Sequence, residues 1–199
     1  MKRLVPPGDY AVIDLETTGF SAQYHEIIEV AAVRVEAGRV TGVFSELVRP
    51  RRYISRQITR LTGITAEMTA GARPLAEVLP DYLAFLAGSD LLGHNIAFDL
   101  EFLRAGCRGL QLAAPDADSY CTMRLARRLH PEWSHHRLDD LVRHYDIPRS
   151  RAHRALDDCL ATQRAFTCLL ADDRRQSAGT PEEMAAREEV GSHPRYGAW

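Results

Sequence analysis

Lysine is almost missing from this sequence. Lys2 is the only one, so arginine supplies the rest of the 25 basic residues. The planar guanidinium suits bidentate phosphate contacts, although GC-rich coding produces the same bias. Charge of one sign is also lacking: the formal net charge is −2. That balance does not exclude a polyanionic partner, because a carboxylate site lowers the count and its bound cations restore positive potential locally. The cysteines are Cys107, Cys121, Cys159 and Cys168, with no Cys-x-x-Cys pair and no zinc-ligand spacing. They are expected to be reduced, in a cytoplasmic protein. No apolar run approaches the roughly 18 residues needed to cross a bilayer, so no membrane association is expected. The segment Met1–Asp9 does not pass from basic to apolar to small residues, so no signal peptide is expected. No internal repeat is present.

What is there is a chain of 199 residues, 45% hydrophobic and 26% charged, which suits one globular domain of ordinary size with a tail. Tyr10 to Glu16 reads as a strand ended by Thr17-Thr18-Gly19. Glu26 to Val35 is a second apolar run, Ala37-Gly38-Arg39 is turn-like, and Val40 to Val48 alternates as a third strand should. Pro50 and the arginines after it break the pattern, and an irregular stretch is expected as far as Pro74. Leu75 to Leu86 has helical spacing. Asp90 to His94 is a short strand, with Asn95 as N-cap of a helix from Ile96 to about Gly106. Ser119–Cys121 is a strand, followed by helices over Thr122–Leu129, Leu138–Tyr145 and Ala155 to about Asp172. Three antiparallel strands followed by strands alternating with helices give an α/β fold with a mixed five-stranded sheet flanked by helices. The domain is expected to span residues 1–173. Residues 174–199 read as a polar, loosely ordered tail with one short helix from Pro181.

Asp14 and Glu16 are the most telling residues. A strand alternates its faces, so positions 14 and 16 point the same way while Ile13 and Leu15 point the other. Two carboxylates at the end of an apolar strand are costly unless their charge is compensated. Divalent cations do this, since hard cations take oxygen ligands; an edge strand with solvated acids is the plain alternative. Asp99 follows a strand-to-helix junction, where a first-turn acid also suits the helix dipole. Asp158 shares a helix face with the small residues Ala155, Ala161, Thr162 and Ala165, which lets that face approach a sheet closely. His153 precedes that helix. Asp157 is turned about 100° from Asp158 and should be more solvated.

Three segments carry a resemblance: Asp14-Leu-Glu-Thr-Thr-Gly19, His94-Asn-Ile-Ala-Phe-Asp99 and His153-Arg-Ala-Leu-Asp-Asp158. Complete and in this order, they resemble the histidine subclass of the DEDD exonucleases, the family that includes the proofreading subunit of bacterial DNA polymerase III. Gly63-Ile-Thr65 and Leu138-Asp-Asp-Leu141 also resemble the family, and the likeness extends over residues 8 to 172. It implies a ribonuclease-H-like fold and 3′–5′ exonuclease activity that releases nucleoside 5′-monophosphates. The implied cofactors are two divalent ions, Mg2+ or Mn2+. Asp14 would bridge both, Glu16 and Asp158 would complete the site of one, and Asp99 would serve the other. Two such ions about 4 Å apart stabilise both attacking and leaving oxygens at phosphorus. His153 would accept a proton from water.

The resemblance further implies that Thr17 and Thr18 receive the terminal nucleotide and that Leu61 and Ile64 contact its base or sugar. Phe98 would pack beneath the site, with His94 and Asn95 structural. The partner is a nucleic acid with a free 3′ end, single-stranded DNA favoured. An exoribonuclease of the same family is the alternative, and an inactive binding module is the third reading. Proofreading subunits bind a polymerase through a C-terminal extension, and no sliding-clamp peptide is recognisable in residues 174–199. Polymerase association therefore stays open, as does the choice between monomer and homodimer.

Overall fold

A computed structural model describes Val5 and residues 8–178. Its sheet has five strands in the order β3-β2-β1-β4-β5. β1 (Tyr10–Thr17) pairs antiparallel with β2 (Ile27–Glu36), and β2 pairs antiparallel with β3 (Arg39–Leu47). β4 (Asp90–Gly93) runs parallel to β1, and β5 (Ser119–Cys121) runs parallel to β4. The β2–β3 hairpin turns on Ala37 and Gly38, both at positive φ (48° and 75°), which matches the right-handed twist of its strands. The mixed sheet expected from the sequence is therefore the observed one.

The alternation in β1 divides the core in two. Tyr10 and Val12 face a cluster that includes Leu125, Leu141, Cys159, Ala165 and Leu169. Ala11, Ile13 and Leu15 face a cluster that includes Val78, Leu79, Tyr82 and Leu103. The first face is covered by α5 (Thr122–Leu129), α6 (Leu138–His144) and α7 (Ala155–Ala178); the second by α3 (Leu75–Leu86) and α4 (Ala97–Leu110). Tyr82 is buried and donates its hydroxyl proton to the Ala31 carbonyl at 2.8 Å, which ties α3 to β2. On the opposite face α7 packs against β1 and β2. Its early turns present small side chains there, with the Cys159 Sγ within 3.5 Å of the Val12 carbonyl oxygen, and further along Phe166 packs edge-on against Tyr10.

Three expectations need correction. The stretch after Pro50 is not irregular throughout: it holds α1 (Arg56–Thr62) and α2 (Ala66–Ala70). Ser55 Oγ accepts from Ile58 N–H and Thr65 Oγ1 from Met68 N–H, each a side-chain N-cap. Asn95 is not the N-cap of α4; that position is Ile96. Asn95 instead adopts a left-handed conformation (φ 63°) that turns the chain from β4 into the helix, a role asparagine tolerates well. α4 and α7 are also longer than expected, ending at Leu110 and Ala178. The boundary at residue 173 thus falls inside α7, and the short helix expected from Pro181 lies outside the described residues. Among the described residues no helix is long and apolar enough to cross a membrane.

Candidate active site

The site forms where β1 ends. Asp14 and Glu16 lie on the sheet face that α7 covers, with Asp14 opposite Ala31 and Glu16 opposite Glu29. The register then shifts between Glu16 and Thr17, a β-bulge that re-aims the side chains beyond it. Asp99 sits buried in the first turn of α4, where its Oδ1 accepts the Leu15 N–H at 3.0 Å. That bond places the Asp99 carboxylate against the strand between the two acids of β1. Asp158 is buried in the first turn of α7. His153 lies two residues before that helix at φ 57°, a left-handed conformation that histidine adopts more readily than most side chains and that turns the chain into α7. Ligand atoms of Glu16, His153 and Asp158 lie within 4.8 Å of one another.

Electrostatics explains what such a cluster needs. Burial, reinforced by the charges of Asp99, Asp158 and Glu16, holds the Asp14 carboxyl well above the usual carboxylate range. Burial and then Asp158 push Glu16 up to about 8. Burial pushes Asp99 up to about 8 against the lowering effect of its backbone N–H bonds. Burial also raises Asp158, against the lowering effect of Arg149. Carboxylates crowded in this way ionise together only if positive charge is supplied. An almost all-oxygen donor set, with one imidazole at its edge, fits hard divalent cations.

Further residues complete the site. Arg149, whose side chain is 6% exposed, donates from Nε to Asp158 Oδ1 at 2.8 Å and pairs with the same oxygen through Nη2. Its Nη1 reaches Asp139 at 2.5 Å. Glu29, buried in β2, accepts from Arg154 Nη2 at 2.7 Å and from the Ala155 N–H at 2.9 Å. It therefore clamps the segment that carries His153 onto the sheet and caps α7. Glu29 had a signal in the sequence, since it interrupts the apolar run Ile27-Ile-Glu-Val30 as Asp14 interrupts β1. Arg149 had none, because its reach depends on the loop after Pro148.

The other expected residues are placed as follows. Thr17 and Thr18 are buried beside Glu16; Thr17 Oγ1 donates to the Gly19 carbonyl at 2.6 Å, and Thr18 Oγ1 accepts from Glu26 N–H at 3.0 Å. Leu61 is 41% exposed, whereas Ile64 lies wholly inside the cluster of Ile28, Ile54 and Ile58. Phe98 packs on Phe102 with ring centroids 4.9 Å apart. His94 Nδ1 meets Thr122 Oγ1 at 2.9 Å, and burial pushes its pKa down to about 4. Asp157 is more exposed than Asp158.

Comparison with known proteins gives a consistent family. The family model described as Exonuclease matches residues 11–166. The DNA polymerase III subunit epsilon of Aquifex aeolicus (strain VF5) is 37% identical over 168 residues, covering 83% of this chain and 82% of that protein. The DNA polymerase III PolC-type of Latilactobacillus sakei subsp. sakei (strain 23K) is 41% identical over 160 residues, but the match spans only 11% of that much longer polymerase. A solved structure of Exonuclease X in complex with 5′ overhanging duplex DNA aligns with a TM-score of 0.67 and 31% identity, covering 89% of this chain and 98% of that one. The nuclease domain of 3′hExo, described as a DEDDh family member, shares the fold at a TM-score of 0.72 and 23% identity.

Proposed function

Since this chain belongs to the exonuclease family, we propose that it removes nucleoside 5′-monophosphates one at a time from the 3′ end of single-stranded DNA. The carrying observation is that Glu16, His153 and Asp158 bring ligand atoms within 4.8 Å of one another, with Asp14 on the same strand face as Glu16 and Asp99 bonded to the intervening Leu15 N–H. Asp14, Glu16, Asp99 and Asp158 would hold two divalent ions, Mg2+ or Mn2+. Bound there, the ions would supply the positive charge that stabilises oxygens gaining charge at phosphorus.

The chain's own groups do the rest. His153, within reach of Glu16 and Asp158, accepts a proton from the attacking water. The water oxygen bonds to phosphorus, the P–O3′ bond breaks, and the shortened strand leaves with a 3′ hydroxyl. Glu29 and Arg154 keep the His153 segment in place, which limits the entropy lost at each turnover. Thr17 and Thr18 sit beside Glu16 where the terminal nucleotide would lie. Leu61 would offer exposed apolar surface for its base, whereas Ile64 is fully buried and lacks the surface to touch it.

The described cysteines are free thiols, which suits the cytoplasm. Association with a polymerase is suggested only by the relative's name, and a pull-down with the full chain tests it.

The deciding experiment pairs calorimetric titration of Mn2+ with digestion of 5′-labelled single-stranded DNA, duplex DNA and RNA. Wild type should bind manganese and shorten single-stranded DNA from its 3′ end; Asp14→Asn should do neither while keeping its fold. Full digestion by Asp14→Asn would sink the proposal. Faster digestion of RNA than DNA would move the substrate to RNA and leave the chemistry intact.

A further inference from the structure

Tyr24, His25 and Arg52 line two cavities. One reaches Thr18 and Gly19; the other reaches α4 and includes neither of these nor any of the four acids. This second cavity measures about 350 Å3, which is within the size of small-molecule sites. Its floor is apolar, formed by Ile27, Val48 and Phe102, all buried. Ala105, Gly106 and Gly109 of α4 make one wall. Gly106 has a packing reason, since a Cβ there would lie 3.3 Å from Leu75 and Leu79, whereas a Cβ on Gly109 would meet nothing within 4 Å. Glycine is a poor helix former, so at Gly109 it keeps the cavity open at some cost to α4. The rim is cationic: Arg49, Arg51 and Arg52 line it against one carboxylate, Glu26. That carboxylate is already committed. It accepts the Arg51 and Arg52 N–H groups, each at 2.8 Å, and Arg51 Nε at 3.0 Å. Among the described residues no carboxylate pairs with the Arg49 or Arg52 guanidinium.

We infer that this cavity binds a small organic anion, its apolar body on the floor and its charged end among the three guanidinium groups, and that occupancy is felt at Thr18. The apolar floor supplies affinity, and the guanidinium rim selects the sign of the charge. The link to Thr18 runs through Glu26. The Glu26 carbonyl accepts the Thr18 N–H at 2.8 Å, and the Glu26 N–H donates to Thr18 Oγ1 at 3.0 Å, while the side chain holds the two arginine amides. His25, the next wall residue, packs closely on Gly19. An anion that draws Arg51 away from Glu26 therefore loosens the turn that holds Thr18 and Gly19. The binding chemistry stands on this cavity alone; the effect on a nucleic acid rests on the exonuclease reading.

The probe is 8-anilinonaphthalene-1-sulfonate, an aryl anion whose fluorescence rises in apolar surroundings, titrated onto the full chain in EDTA. Neutral N-phenyl-1-naphthylamine has the same rings without the sulfonate. Wild type should bind a single anionic probe per chain, at least about tenfold more tightly than the neutral one. Gly109→Leu puts a side chain into the cavity. It should melt no lower than wild type, because leucine favours the helix, and should lose at least about tenfold in probe affinity. Arg49→Ala/Arg52→Ala changes only exposed side chains and should remove the preference for the anion. Equal affinity of wild type for the two probes, many weak sites, or wild-type affinity in both variants overturns the site. Digestion of a 5′-labelled thymidine oligonucleotide with Mn2+ tests the link. Saturating anionic probe should raise KM about fivefold in wild type and leave Gly109→Leu unchanged. An unchanged KM in wild type rejects the link, and so does equal inhibition of Gly109→Leu, which places the probe elsewhere. No digestion by wild type without probe rejects the catalytic reading alone, since probe binding in EDTA does not depend on it.

Discussion

The Arg149 guanidinium and the Asp158 carboxylate form a buried pair at the mouth of the acid cluster, with Nε 2.8 Å from Oδ1 and Asp139 holding the far side of the same guanidinium. Arg149 thereby supplies one of the positive charges that four neighbouring acids require, and it does so from the protein itself. A divalent ion held by these acids would do the same more strongly, so the guanidinium and such ions would repel each other across Asp158. Replacing Arg149 with Met should destabilise the metal-free protein by about 2 kcal/mol, since breaking a buried pair leaves a charge without a partner. The rise in melting temperature on adding Mn2+ should be larger in Arg149→Met than in wild type. Thermal melts with and without EDTA measure both quantities. An equal rise in the two proteins would show that Arg149 does not share the work of the ions.

Glu29 makes the contrasting case. It also neutralises a cation near the site, but it points at the Arg154 guanidinium and the first amide of α7 rather than at the four acids. Its role is positional. Glu29→Ala should cost about 3 kcal/mol with or without metal, because it strands the Arg154 charge and uncaps α7. With a small ester substrate, kcat should fall while KM moves little, since His153 loses its placement and the nucleotide contacts do not. A loss of stability that manganese repairs would instead put Glu29 among the metal-binding groups.

The strand acids were legible because period two is a local property: Asp14 and Glu16 must share a face wherever β1 goes. Asp158 was legible for a similar reason, since the helical repeat groups it with Ala155, Ala161, Thr162 and Ala165, and all of these are buried. The three motifs supplied what periodicity could not, namely that Asp99 joins them. Arg149 was not legible, because its contacts arise from how the loop between α6 and α7 folds back. The short helices after Pro50 were missed for a different reason. Their caps, Ser55 and Thr65, are ordinary turn residues too, and helices of seven and five residues have too few positions to show a period.

Gly19 is held by a close approach. A Cβ there would lie 2.2 Å from Cδ2 of His25, whose Nδ1 lies 3.1 Å from the Ser21 carbonyl oxygen. Gly19→Ala therefore forces the imidazole out of its place and shifts the turn that carries Phe20 and Tyr24. The expected cost is about 1–3 kcal/mol of stability, the usual penalty for overpacking. KM for oligonucleotides should rise while hydrolysis of the small ester persists. A variant with wild-type stability and KM would mean that His25 swings aside freely.

The raised acids make stability depend on pH with a definite sign. Glu16 moves from an ordinary 4.5 to about 8, and Asp99 from 3.8 to about 8. In metal-free protein at neutral pH, the folded state therefore holds protons that the unfolded chain has released. Stability then falls as pH rises, because the slope follows the excess of protons bound by the unfolded state, and here that excess is negative. The contribution of these two acids is fully present below about pH 4 and is gone above about pH 8. Metal bound by these acids would reverse the trend: its ligands must be deprotonated, so binding would expel protons and tighten as pH rises toward 8. Melting curves in EDTA should shift down between pH 6 and pH 8, and curves in Mn2+ should not. Asp14→Asn removes one member of the repelling set, so it should melt higher than wild type in EDTA at pH 8 and gain little from Mn2+. Parallel pH profiles with and without manganese would show that these carboxylates do not bind it.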